Sequence, residues 1–552
     1  MSMERNSRDR NSRRNFLQLA GAGIAGATLG SAQWASALVL PNGPEVPQSA
    51  SAASKRSAIQ APTIYDVKVF GAKGDGKTID TPAINKAIET AAGSGGGIVR
   101  FPAGTYACFS IHLKSKVTLY MDPGATILAA DSGPAGQYDP AEPYQWDKFQ
   151  DYGHSHWHNS LIWGEGIENV SILGPGLIWG KGLSRGSGTD SPKAEDPGIA
   201  NKAISLRNCR NVILRDFTIL HGGHFGILAI GVDNFTIDNL TIDTNRDGID
   251  IDCCRNVRVS NCSVNSPFDD AICLKSCFGL GYARATEMVT ITNCLVSGFQ
   301  EGSLLDATYK RTLPRENFRP TGRIKFGTES NGGFKNITVS NCVFDFCRGL
   351  ALETVDGGLL EDVTITNITM RNIVNSPIFL RLGSRMRGPE GVPVGTLRRV
   401  IISNIMCSNA ASGLSSIISG IPGHEIEDVQ LSDIYIQHQG GGGKDDALIQ
   451  PPEKENTYPE PTMFGGAMPS HGFFIRHAKR LHMSNIEIAY AKEDLRPAFV
   501  LQDVKDAHFF RVRAQHAADT PTFALKNVAD FSVSQSRPVP DTQLESAQEK
   551  KL

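Results

Sequence analysis

The sequence predicts an all-β fold, a single-stranded right-handed parallel β-helix, and three observations carry that expectation. First, a unit recurs with a period drifting between about 22 and 50 residues but with a fixed inner register. In each unit a polar residue opens a β-branched run, and five positions later stands Asn or Asp. Second, glycine is abundant, 56 of 552 residues, while aromatic residues make up only 7%, a balance that suits many tight turns between short strands. Third, 40% hydrophobic and 20% charged residues exclude a disordered chain, a collagen and a multi-pass membrane protein. Lys plus Arg (55) nearly balances Asp plus Glu (57), and basic runs are absent past the N-terminus, so nucleic acid is not an expected partner.

Residues 1–37 read as an export signal. Arg5, Arg8, Arg10, Arg13 and Arg14 supply its charge, and Ser12-Arg13-Arg14-Asn15-Phe16-Leu17 fits the twin-arginine pattern. The Gly/Ala-rich stretch at 19–29 is too short to span a bilayer, and Ala35-Ser36-Ala37 offers a cleavage site. An ordinary first helix is the competing reading, which Gly21, Gly23, Gly26 and Gly30 weaken. The expected partner here is the twin-arginine export machinery, leaving a periplasmic or extracellular monomer without membrane attachment. Residues 38–62, with Pro41, Pro44 and Pro47, read as a linker.

Residues 63–530 are expected to form the β-helix. Asn211 leads to Asp216, Asn234 to Asn239, Asn256 to Asn261, and Asn336 to Asn341. The same offset joins Asp362 to Asn367, Arg399 to Asn404, Asp428 to Asp433, and Arg480 to Asn485; Met288 to Asn293 fits with the opening residue relaxed. A few short strands cannot bury an apolar face alone, but units stacked about 4.8 Å apart can. Asn at one turn position adopts the left-handed conformation and bonds its neighbours above and below. Separate β-sandwich domains would need linkers between units, and none is visible. Where other units place Leu or Ile, three place Cys262, Cys294 and Cys342, which read as small buried hydrophobes with free thiols. No C-x-x-C pair repeats at zinc spacing. Residues 531–552 read as a polar C-terminal tail.

The apolar pattern sets a register for the solvent face. Ile249, Ile272, Ile324 and Leu350 should point inward, with Asp250, Cys273, Lys325 and Ala351 stacked as the next column outward. At the preceding turn, Asp247 and Asp270 become neighbours one coil apart, with Asp269 beside them. Like charges so close raise at least one pKa, giving a protonated acid and an ionised base near neutral pH. Glycoside hydrolysis needs that pair. A Ca²⁺ site or a solvated Asp-rich turn would use the same residues.

Asn245-Arg246-Asp247-Gly248-Ile249-Asp250 resembles the N-x-D-G-I-D element of glycoside hydrolase family 28, the polygalacturonase family. Asp269-Asp270-Ala271-Ile272-Cys273-Leu274-Lys275-Ser276 resembles its D-D-C-I-A-I-K-S element, 22 residues on. The opening from Asp66 to Gly76, then Phe101-Pro102-Ala103-Gly104-Thr105-Tyr106, is similar to the first coils of such pectin-active, pectin lyase-like solenoids. The resemblance covers about 63–490. It implies a metal- and cofactor-free inverting hydrolase of α-linked, galacturonate-containing chains. Asp269 would be the general acid, Asp247 and Asp270 would position and deprotonate water, and Asn245 would orient them. Inversion implies acid and base carboxyls roughly 6.5–9.5 Å apart.

Two departures bear on specificity. The family's G-H-G element falls at Thr321-Gly322-Arg323, after a long insertion (299–320) carrying Lys310, Arg311, Arg315 and Arg319. Its R-I-K element, which grips a sugar carboxylate, falls at Ala351-Leu352-Glu353. Arg323 and Lys325, one coil earlier, are the candidates to take over that grip, or else they pair with Glu353. This favours an exo-acting or rhamnogalacturonan-type member, with a neutral sugar beside galacturonate. Lys275 and His224 complete the candidate substrate-binding set; His224 could stand in for the missing His, although core or turn packing is the expected role of both His224 and His221. His154, His156 and His158, with Tyr144, Trp146, Tyr152 and Trp157, are expected to wall one end of a cleft by stacking. A loop from 440 to 461 is expected to close the cleft at one end. Two other functions use the same residues: a Ca²⁺-dependent polysaccharide lyase with Lys275, Arg323 or Lys325 as base, and a non-catalytic carbohydrate-binding helix.

Overall fold

The computed structural model describes residues 63–150, 154, 156–185, 196–312 and 319–552; the expected export signal (1–37) and linker (38–62) lie outside the described residues. Within each coil three short strands follow one another, and each pairs in parallel with its counterparts one coil before and after. Asp247–Asp252 pairs with Phe225–Ile230 and with Ile272–Ser276. Arg255–Ser260 pairs with Asp233–Asp238 and Thr286–Thr292, and Ser263–Asn265 with Thr241–Asp243 and Leu295–Ser297. The described strands form one continuous network, a right-handed parallel β-helix as expected. Alternation within each strand places Ile227, Ile249, Ile272 and Ile324 in one inward column, all fully buried. Burying each such side chain contributes roughly 1.5–3 kcal/mol relative to leaving it in water.

The two polar positions of the repeat are the corners of the coil. Asn211, Asn234 and Asn256 have φ of 54°, 55° and 54°, and their partners five residues on, Asp216, Asn239 and Asn261, have 71°, 54° and 57°. Asn and Asp tolerate this left-handed conformation better than other side-chain-bearing residues. Their amides also bond from coil to coil: Asn234 Nδ2 donates to Asn211 Oδ1 at 2.8 Å, and Asn256 Nδ2 to Asn234 Oδ1 at 2.8 Å. Asn234→Ala should therefore cost about 1–3 kcal/mol, from strain and two lost bonds. Asn234→Gly should cost less, because glycine relieves the strain but not the lost bonds. Equal losses in urea denaturation would assign the whole effect to the ladder.

The helix α1 (Thr81–Gly93) carries Pro82 in its first turn and buries Ile84, Ala87, Ile88 and Ala91 against the first coils. At the other end the parallel coils run on through Phe523–Ser534, and the expected polar tail is a strand instead. Thr542–Lys551 pairs antiparallel with Phe523–Ser534. The last coil presents a row of unpaired backbone groups, and the turn at 535–541 brings the polar segment back to satisfy them, with Ala547 buried. Backbone pairing, more than hydrophobicity, orders this segment. All eleven cysteines are buried and unpaired, including Cys262, Cys294 and Cys342 in their expected core positions.

Candidate active site

The strand register stacks the predicted columns. Asp250 lies against Cys273, Cys273 against Lys325, and Lys325 against Ala351. At the turn before this sheet, the Gly248 N–H donates to the Asp270 carbonyl at 3.0 Å, and the Gly322 N–H to the Asp269 carbonyl at 2.8 Å. Asp247, Asp269 and Asp270 thus meet on one face, as the sequence implies. His224, Asp247 and Asp269 present donor atoms all within 4.8 Å of one another. This is shorter than the 6.5–9.5 Å attached above to an inverting pair; the two aspartates occupy the same turn on successive coils, whose spacing is about 4.8 Å.

The three carboxyls differ in their surroundings. Asp247 is buried, and burial together with Asp250 and Asp269 raises its pKa well above the ordinary carboxylate value. Burial thus favours the protonated form of Asp247 over the ionised one. Burial pushes Asp270 in the same direction, but Lys325 and Arg323 outweigh it and hold the group at about 2. Arg323 Nε donates to Asp270 at 2.9 Å, and Lys325 Nζ lies 3.3 Å from its other oxygen. Asp269 has a side chain 27% exposed and receives Arg246 Nη2 at 2.7 Å. Arg246 was missed as a site residue, although it occupies the x of N-x-D-G-I-D.

Of the two readings open for Arg323 and Lys325, the structure shows pairing with acids, Glu353 among them, rather than free cations facing a sugar. Both are buried, and Asp270, Glu353 and Glu460 neutralise them. Glu353 is also buried, 3.7 Å from Lys325 Nζ, and among the described residues neither of its oxygens accepts a hydrogen bond. Burial, only partly offset by Lys325 and Arg323, raises it to about 7 from 4.5. As pH rises from about 4.5 to about 7 the unfolded chain loses this proton while the folded chain keeps it, so this group's contribution makes stability fall across that window. Glu353→Gln should remove that slope, gaining about 3 kcal/mol at pH 8 and nothing near pH 4. Thermal unfolding of both proteins across pH checks this; parallel curves would refute it.

Lys275 faces a different cluster, which the sequence did not disclose. Its Nζ lies 3.6 Å from Asp250 and 3.5 Å from Glu329, both fully buried. His154 Nε2 bonds Asp250 at 2.9 Å, and Arg387 reaches Glu329 at 3.1 Å. Burial and Lys275 would lower His154, but Glu329 and Asp250 raise it to about 9; they likewise keep Lys275 charged against its burial. His154 is therefore part of the floor, and Trp157 is core, packed with Phe225 and Leu228, so neither lines a stacking wall as expected. Tyr152 and Arg315 lie outside the described residues. His156 and His158 bond Glu142 and Glu165. Asn245 sits at the turn, its carbonyl accepting the Phe268 N–H at 3.0 Å. His224 packs tilted on Phe225, 3.9 Å from Asp247, and burial with Arg246 nearby favours its neutral form. His221 turns away to Glu301.

Gly322 explains the missing family His. Its φ is 47°, and a Cβ there would lie 2.1 Å from the Ser297 carbonyl oxygen, so this backbone admits only glycine. The late loop reaches the site, as expected: Lys325 Nζ donates to Tyr458 at 3.2 Å, and Glu460 binds Arg323 and Arg348. Among the described residues two triads offer donors for a metal, His224–Asp247–Asp269 and the buried Asp252–Cys253–Cys277.

A family described as rhamnogalacturonase A/epimerase, pectate lyase-like, matches residues 64–269. The chain is 26% identical over 328 residues to a probable polygalacturonase of Vitis vinifera, covering 55% of this chain and 60% of that protein. It is 27% identical over 419 residues to an exo-poly-alpha-D-galacturonosidase of Dickeya chrysanthemi, covering 63% and 64%. The chain thus spans less than two thirds of the length of these two curated relatives. A family 28 exopolygalacturonase from Yersinia enterocolitica shares its fold, with a TM-score of 0.55 and 19% identity over 87% of this chain and 79% of that one. In sequence the chain is similar to polygalacturonases and exo-polygalacturonases, and in fold to a glycoside hydrolase family 28 exopolygalacturonase.

Proposed function

We propose that the protein is an exported glycoside hydrolase that cleaves α-glycosidic bonds of galacturonate-containing pectic chains from one end. The observation that carries this reading is the contrast at one turn: burial raises the Asp247 carboxyl beside Asp269, whereas Lys325 and Arg323 hold Asp270 at about 2. Asp269, the member open to solvent, gives a proton to the departing glycosidic oxygen. Asp270 accepts a proton from the water that attacks the anomeric carbon. Elimination by a lyase would instead need a neutral Lys or Arg. Lys275, Arg323 and Lys325 are all held well on the charged side by neighbouring carboxylates, against their burial, which favours hydrolysis. End-wise action is supported by the late loop lying across the cation side of the site and by the exo-acting relative. The twin-arginine pattern at 12–17 supports export.

Product analysis tests the proposal. Full-length protein expressed in a bacterium with twin-arginine export should yield activity in the periplasmic or culture fraction, releasing one or two sugars at a time with new reducing ends. An ultraviolet-absorbing unsaturated uronide would mean a lyase. Sugar binding with no release of reducing ends would mean a binding module.

A further inference from the structure

The loop that crosses the site carries a carboxylate into it. Glu460 precedes the short 3-10 turn Pro461–Phe464 and accepts hydrogen bonds from Arg323 and, at 2.8 Å, from Arg348 Nη1. Asn375 Nδ2 donates to its other oxygen at 3.3 Å. Two guanidinium groups and an amide converging on one carboxylate form the donor set that would recognise the carboxylate of a uronic acid. Arg323 ties this pocket to the reacting group, since its Nε holds Asp270 at 2.9 Å while its other end holds Glu460. The pocket is reachable from solvent: the Glu460 side chain is 15% exposed and that of Arg348 24%. Beside it, Tyr458 is 47% exposed and offers a ring for a sugar face.

We propose that Glu460 is a specificity residue. It occupies the anion pocket next to Asp270, so the sugar bound there is neutral at C6 and a uronate is excluded. The inference rests on the hydrolase reading above and narrows its substrate to chains in which a neutral sugar adjoins galacturonate. A uronate entering the pocket would bring a second carboxylate to donors already satisfied and beside the ionised Asp270. Such a repulsive element discriminates as effectively as an attractive one. A neutral sugar leaves the Arg–Glu bonds intact.

The test compares wild type, Glu460→Gln and Glu460→Ala as full-length proteins, titrated with galacturonate and with galactose, which differ at C6. Both variants should bind galacturonate at least about tenfold more tightly than wild type does, with galactose binding unchanged. Should Glu460→Ala fold poorly with Arg323 unpaired, acetate should raise its melting temperature where acetamide does not, and Glu460→Gln keeps an acceptor in place. If galacturonate binding is unchanged in the variants, or if wild type cleaves all-uronate oligomers faster than mixed ones, the inference is overturned. Binding reads out without turnover. A protein that hydrolyses neither oligomer would refute the hydrolase reading while the titrations still judge Glu460.

Discussion

Asp269→Asn should slow release of reducing ends by roughly 10²–10⁴-fold and leave the fold unchanged, because an amide of the same shape cannot give up the proton the departing oxygen needs. The position suits a clean experiment. Asp269 is partly exposed, its ionic partner is Arg246 at 2.7 Å, and Asn retains an oxygen to accept that bond. Melting temperature should therefore move little while rate collapses. Asp270→Asn would be less clean, since it would strip the counter-charge from buried Arg323 and Lys325 as well as remove the base. The decisive comparison is rate against an unchanged unfolding curve. Near-wild-type turnover in Asp269→Asn would remove Asp269 from the proton path and with it the mechanism proposed here.

The largest loss of stability should come from a residue on the site's floor. Asp250 is fully buried, bonded to His154 at 2.9 Å and 3.6 Å from Lys275. Asp250→Ala leaves two cations with one fewer counter-charge in a place water cannot reach. Removing one partner of a buried pair costs about 3–5 kcal/mol, mostly as the penalty of the charge left behind. Asp250→Asn should cost less, because an acceptor for His154 remains. Urea denaturation followed by tryptophan fluorescence checks this, since Trp157 packs on Phe225 in the neighbouring column. An unshifted midpoint in Asp250→Ala would mean that Glu329 alone balances Lys275 and His154.

The coils were legible because their determinants are local. Alternation assigns each strand's inward face, and left-handed corners favour Asn or Asp, so nine units could be aligned and the stacking of Asp250, Cys273, Lys325 and Ala351 read without coordinates. The same register placed Asp247, Asp269 and Asp270 together. It failed for the C-terminal strand, whose order comes from satisfying the backbone of the last coil, a demand that leaves no apolar pattern.

Hydrophobic periodicity and turn chemistry wrote the solenoid, its register and the meeting of three aspartates into the chain, since each depends on residues within one coil or its neighbour. The charge state of that meeting was not written there. Whether Asp247 keeps its proton, and whether Arg323 is available to a sugar, depends on burial and on groups brought from far along the chain: His154 lies 96 residues from Asp250, and Glu460 lies 137 from Arg323. Electrostatic energies in a water-poor interior depend on distance and exposure, and both are fixed only when loops cross the finished scaffold.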